Sequence, residues 1–224
     1  MFPIPHSAKG TLPTEIGLLQ KLDLLALFQN RLTGTIPSEV GLLSALQLMS
    51  FDDNSFGGTL PTEIGSLPVL HWAWFFNNRF SGQIPSEFGL IAEDAMILSL
   101  SHNDFTGTIP TELGLMTDVQ VLELHNNNLS GQIPSELGQL SFVGRLMLAN
   151  NSLSGAVPQE LSMLEYSVYS LSLGGNSRLT GTVPIVLCAI NNTCELVPYG
   201  DCSSSEGVTF DCSSQLCGCS CPCV

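Results

Sequence analysis

Residues 19–37 read LQKLDLLALFQNRLTGTIP. Leu19, Leu22, Leu25 and Leu27, then Asn30, Leu32, Gly34 and Ile36-Pro37 form a phrase that the chain repeats along most of its length. The closing Gly-x-(Leu/Ile/Val)-Pro recurs at Pro13, Pro37, Pro61, Pro85, Pro110, Pro134, Pro158 and Pro184, with successive prolines 24 to 26 residues apart. Eight recurrences of one period describe a stacked array, in which each unit buries its apolar face against its neighbours. Around Leu25-x-Leu27 the alternation has period two, which predicts a short strand with one face in the core. Seven such strands would stack as a parallel sheet.

The phrase Leu19-x-x-Leu22-x-x-Leu25-x-Leu27-x-x-Asn30-x-Leu32-x-Gly34-x-Ile36-Pro37 resembles the plant-type leucine-rich repeat, over roughly residues 9–187. The resemblance implies an α/β solenoid, a right-handed superhelix with a parallel inner sheet and short helical or 3-10 turns on the convex side. It also implies that Asn30, Asn54, Asn78, Asn103, Asn127, Asn151 and Asn176 form a ladder of buried amides bonded to the backbone. Gly34 and its six equivalents suit a tight bend. After each of the first seven prolines comes Thr, Ser or Gln and then glutamate, from Glu15 to Glu160. Hydroxyl and carboxylate both complement the free N–H groups at the start of a short helix, so the glutamate column is read as helix starting and solubility rather than cation binding. Extra residues around Ile91–Ala95, Glu165–Ser167 and Ser177-Arg178 are expected to become loops on one face.

Two segments follow: a solenoid over 1–187 with about eight repeats, and a cysteine-rich tail over 188–224. The first repeat begins without a cysteine-bearing cap, so either the chain starts inside a longer protein or residues 1–9 form a minimal cap. Met1 to Pro5 lacks the basic start and apolar run of a signal peptide. With 20 acidic against 6 basic side chains and a net charge of −14, the chain lacks the clustered cations that nucleic-acid binding needs. The longest nearly unbroken apolar stretch, Leu67 to Phe76, is about half the roughly 20 residues a membrane-spanning helix requires.

All eight cysteines lie in the tail: Cys188, Cys194, Cys202, Cys212, Cys217, Cys219, Cys221 and Cys223. An even count in a terminal segment reads as a disulfide-stapled cap in an oxidising compartment, and hence as secretion or display at the cell surface. A thiolate cluster for a soft metal is the other reading, although the one-residue spacings differ from those of zinc knuckles. The repeats with an alternating cysteine tail are similar to secreted or surface leucine-rich-repeat proteins of microalgae such as diatoms. Asn128, Asn150 and Asn191 head glycosylation sequons.

Function is sought on the strand residues that face away from the core, where neighbouring repeats stand about 4.8 Å apart. These outward positions hold Phe28 in the first repeat, His71, Trp72, Trp74 and Phe76 in the third, His102 in the fourth, Glu123 and His125 in the fifth and Arg145 in the sixth. Trp72 and Trp74 are the only tryptophans of the chain. Aromatic residues on a rigid concave face are typical interface anchors. A slip of register in the third repeat would instead bury both tryptophans, but Ala73 and Phe75 fill the core positions of the register used elsewhere. Phe28, His71, Trp72, Trp74, Phe76, His102, His125 and Arg145 are the expected ligand contacts. His102, Glu123 and His125, with Asp52 and Asp53 farther off, could form an acid/base or metal site. No nucleophile elbow or phosphate loop accompanies them, so neither an enzyme nor a cofactor is expected.

The resemblance to plant receptor ectodomains and polygalacturonase inhibitors implies a non-enzymatic extracellular module that binds a protein or glycan on the concave sheet. The alternative is an ice-binding protein using hydroxyl ladders, here Thr33, Thr35, Thr106, Thr108, Thr180 and Thr182 with Ser81, Ser130 and Ser154, interrupted at Gly57, Gln83, Gln132 and Ala156. Alkylation and mass spectrometry of the native secreted chain should find no free thiol. Eight alkylated cysteines would overturn the disulfide cap, and a stoichiometric metal in that sample would replace it with the thiolate cluster.

Overall fold

Each phrase forms one coil of the chain, made of a concave strand, a corner, a second strand and a short convex turn. The computed structural model describes residues 7–91, 94–184 and 187; the tail cysteines and Asn191 lie outside the described residues. Seven three-residue strands, from Leu24–Ala26 through Trp72–Trp74 to Ser170–Ser172, stack in sequence order as one parallel sheet. They pair one full repeat apart, Leu24 with Leu48 and Leu48 with Trp72. The extra residues near positions 91–95 and 165–167 are absorbed before the next strand begins, since Trp72 still pairs with Ile97 and Arg145 with Ser170.

A second parallel sheet, absent from the sequence reading, runs beside the first. Its eight strands, among them Lys9–Gly10, Arg31–Gly34, Arg79–Gly82 and Arg178–Thr180, also follow chain order. Adjacent strands here pair two residues short of the repeat, so that Thr33 faces Ser55. The sequence hides these strands because five of the eight end on glycine with positive φ, such as Gly34 at φ +81°. A Cβ at that position would also lie 2.8 Å from Thr11 Cγ2.

Among the described residues the convex turns are seven 3-10 helices, from Thr14–Leu18 to Gln159–Leu164. The expectation that hydroxyls cap them is corrected. Proline occupies each N-cap with extended backbone and no side-chain cap bond. The hydroxyl sits one position later and donates to the neighbouring glutamate, as Thr111 Oγ1 does to Glu112 Oε2 at 3.2 Å. The glutamates still lie in the first turn, where they complement its positive end. A second glycine column supports this side: a Cβ on Gly41 would lie 2.6 Å from Glu63 Cβ and 2.7 Å from its carbonyl oxygen. The turns therefore stack closer than any side chain permits.

The core is largely leucine, and in repeats two to four a cluster of phenylalanines joins it. Phe51 stacks on Phe75 (centroids 5.8 Å, 8°), while Phe56, Phe80 and Phe105 form a parallel column at 6.1 and 6.3 Å. Edge-on contacts, Phe51 to Phe56 at 5.3 Å and Phe75 to Phe80 at 5.9 Å, join the two stacks. Offset and T-shaped pairs of this kind add about 0.5–1.5 kcal/mol each beyond area burial. At the N-terminal end the equivalent Leu27 and Leu32 are only partly buried, because the first repeat has less chain stacked against it.

The expected asparagine ladder is present. Asn103 is buried; its Nδ2 donates to the Leu100 and Ser101 carbonyls of its own corner and to the Phe75 carbonyl one repeat back, while Oδ1 accepts from the Phe80 N–H. Each amide thus satisfies the backbone where the chain leaves one sheet and enters the next. Asn103→Ala would orphan the buried Phe80 N–H and weaken three carbonyls, at about 1–3 kcal/mol per orphaned group. Urea unfolding should show a loss of about 2 kcal/mol or more, and a loss below about 0.5 kcal/mol would mean that the ladder carries no stability.

Candidate ligand-binding face

The concave sheet presents alternate residues of each strand to solvent. In strand Trp72–Trp74 the small Ala73 is 2% exposed and points into the core, whereas both tryptophans are half-buried on the open face. That settles the register of the third repeat as the sequence suggested. The His71 ring meets Trp72 edge-on at 5.2 Å. His71 Nε2 lies 2.8 Å from Asp94 Oδ2, so an acidic residue of the lengthened loop before the fourth strand fixes the histidine beside the tryptophan.

Phe28 and Phe76 occupy one outward column, with Asp52 between them: Gln29 N–H donates to the Asp52 carbonyl and Asp53 N–H to the Phe76 carbonyl. Phe28 is 37% exposed, while Asp52 retains only 8% exposure. Ser50 Oγ donates to Asp52 Oδ1 at 2.6 Å. Burial pushes the Asp52 carboxyl above the ordinary range, and neighbouring Asp53 adds to the push; Ser50 and the residue's own N–H pull the other way. Sequence reasoning placed Asp52 on this face, as a distant member of a possible acid/base or metal group, but did not anticipate its burial.

Repeats four to six bring the remaining expected residues together. Glu123 accepts from Ser99 Oγ at 2.8 Å and pairs with Arg145 at 3.3 Å. His102 and His125 meet edge-on at 5.2 Å. Burial lowers the His125 pKa, Glu123 opposes that shift, and His102 and Arg145 reinforce it. His125 Nδ1 is buried without a hydrogen-bond partner among the described residues. No cluster of three or more His, Cys, Asp or Glu there is arranged to hold a metal ion. His102, Glu123, His125 and Arg145 set hydrogen-bond donors and acceptors side by side on this face.

The backbone conformation of one outward column escaped the sequence reading. Gln29, Asp53, Asn77, His102, Asn126 and Asn150, each just before a ladder asparagine, adopt left-handed φ between +52° and +56°, and Gly175 follows at +73°. Asn77 Nδ2 donates to Asp53 Oδ1 at 2.8 Å; Asn150 donates to Asn126 Oδ1 at 2.8 Å, and Asn126 in turn to His102 Nε2 at 3.0 Å. The recurrence of Asn, Asp, His and Gly, the residues most tolerant of left-handed backbone, was the available signal. On the second sheet, Thr33, Thr106, Ser130 and Ser154 each donate 3.3 Å to the carbonyl of the glycine one repeat back.

Because the folded Asp52 carboxyl titrates above its unfolded range, its ionisation costs the fold stability at neutral pH. The cost is absent below the unfolded range, grows as pH rises through the folded pKa and is complete above it. Asp52→Asn should therefore raise the melting temperature at pH 7, with the gain fading in acid. A gain independent of pH would overturn this account of the buried carboxyl.

A Leucine Rich Repeat family model matches residues 96–116 and 118–140. No curated protein sequence matches the chain. Among solved structures, the chain is similar to the plant peptide hormone receptor RGFR1 in complex with RGF2, at 36% identity and TM-score 0.80 over 85% of this chain and 30% of that one. It is also similar to the Arabidopsis receptor kinase HAESA in complex with the peptide hormone IDA and the co-receptor SERK1, at 32% identity and TM-score 0.81 over 92% of this chain and 33% of that one. The chain spans about a third of the length of these structures. A plant ice-binding protein shares the fold at 22% identity and TM-score 0.60, over 88% of this chain and 73% of that one. With its repeated phrase, asparagine ladder, paired parallel sheets and 3-10 turns, the chain is a leucine-rich-repeat protein of the plant type.

Proposed function

We propose that the chain is a non-enzymatic extracellular recognition module that holds a protein or glycan ligand on its concave sheet. The observation that carries this reading is the aromatic group on that sheet: Trp72, Trp74 and Phe76 face outward on strands whose opposite faces pack into the phenylalanine core. Large side chains with few rotatable bonds, held on a rigid frame, bury much area at low entropic cost. The polar group around His102, Glu123, His125 and Arg145 supplies directional bonds beside them, so the expected contacts lie along one continuous face. The similar receptor structures hold peptide hormones, which favours a peptide over a glycan.

An extracellular site fits the tail cysteines as a disulfide cap and Asn128 as a glycan acceptor, since Asn128 is exposed on the second sheet. Asn150 is less suited, because its Nδ2 is engaged with Asn126 on the binding face. The second sheet is the weaker candidate surface. Several of its hydroxyl protons are donated to backbone carbonyls, and Gly57, Gln83, Gln132 and Ala156 interrupt the rows.

For a ligand recovered from cell-wall extract, Trp72→Ala, Trp74→Ala and Phe76→Ala should each weaken calorimetric affinity by about 2 kcal/mol or more, roughly thirtyfold. Unchanged affinity in all three variants would move the site off the concave sheet.

A further inference from the structure

Asp52 is the one carboxylate of the concave sheet that is more than nine-tenths buried. The fold does not require it. Its outward column holds Phe28, Phe76, Ser101, His125, Ala149 and Gly174 in the other repeats, so aromatic, small and polar residues all occupy this position of the coil. Ser50 Oγ satisfies one oxygen. Neither of the two ion pairs among the described residues, His71 with Asp94 and Arg145 with Glu123, involves Asp52. A buried carboxyl without a countercharge costs the protein stability, and residues that do so on a binding face are candidates for ligand recognition.

The surroundings specify the ligand. Phe28 and Phe76 stand one strand to either side of Asp52, their backbones about 10 Å apart, two strand spacings. Trp74 lies diagonally across, opposite Ser50 in the strand pairing. A carboxylate at the base of an aromatic slot complements a flat, weakly hydrated cation, which can hydrogen-bond to the carboxyl while its faces meet the rings. The chain's net charge of −14 draws cations toward it. We propose that Asp52, walled by Phe28 and Phe76 and flanked by Trp74, is a subsite for a guanidinium side chain of a peptide ligand. This rests on the reading of the concave sheet as a recognition face, and it names one chemical group that the face selects.

The test uses the full chain and a blocked Gly-Gly-Arg-Gly-Gly peptide, with a second peptide in which citrulline, a neutral near-isostere, replaces arginine. Emission from Trp72 and Trp74, the only tryptophans, reports occupancy and calorimetry reports affinity. The arginine peptide should bind saturably and at least tenfold more tightly than the citrulline peptide. Asp52→Asn should abolish that preference while leaving the melting temperature at pH 7 unchanged or higher, which separates lost recognition from lost folding. The substitution changes net charge by a single unit, so general attraction to an acidic surface would survive it. Equal affinity for the two peptides, no saturable signal, or a preference that persists in Asp52→Asn would each overturn the subsite. If Trp74→Ala weakens both peptides alike and Asp52→Asn leaves the preference intact, the guanidinium subsite falls while the recognition face stands.

Discussion

The buried asparagine amide is the constraint on which the rest of the molecule depends. Wherever the chain turns from the concave sheet into the second sheet, backbone groups face inward with no strand partner, and an unpaired buried amide or carbonyl is expensive. One side chain answers this in every repeat. Asn54 donates to the Phe51 and Asp52 carbonyls beside it and to Leu27 in the previous coil, and accepts from the Leu32 N–H. Because these bonds join consecutive coils, they fix the spacing at which the coils stack. A flat, regularly spaced concave face follows from that spacing.

On this frame the two ends of the concave sheet differ in chemistry. The aromatic group sits over repeats whose interior is stacked phenylalanine, and the histidine and arginine group sits over repeats filled mainly with leucine. Side-chain amides on left-handed backbone run along the border of both halves, bonded to one another from Asn150 to His102.

The period was legible in the recurring prolines and the asparagine ladder in the resemblance to the leucine-rich repeat, while the concave strands and the outward placement of Trp72 and Trp74 follow from alternation within one repeat. What escaped depends on more than one repeat at a time. The second sheet pairs out of phase with the repeat, so aligning repeats does not reveal it. The burial of Asp52, on the solvent side of the sheet, does not follow from the alternation within its own repeat. The proline N-caps were missed for a different reason: the Ser/Thr-Glu pair is a familiar helix start, and it lies one position too late to cap.

The close approach of Gly41 to Glu63 has a consequence for how such a chain can change length. The glycine that permits tight stacking belongs to one coil and the backbone it admits belongs to the next, so the requirement spans a junction. Every interior coil carries both halves of this match, glycine for the coil after it and glutamate for the coil before it. Gain or loss of one whole period at any point therefore leaves every remaining junction matched, whereas a break out of phase sets a side chain against a backbone that cannot yield. What duplication copies intact is the fit between neighbours rather than any single coil.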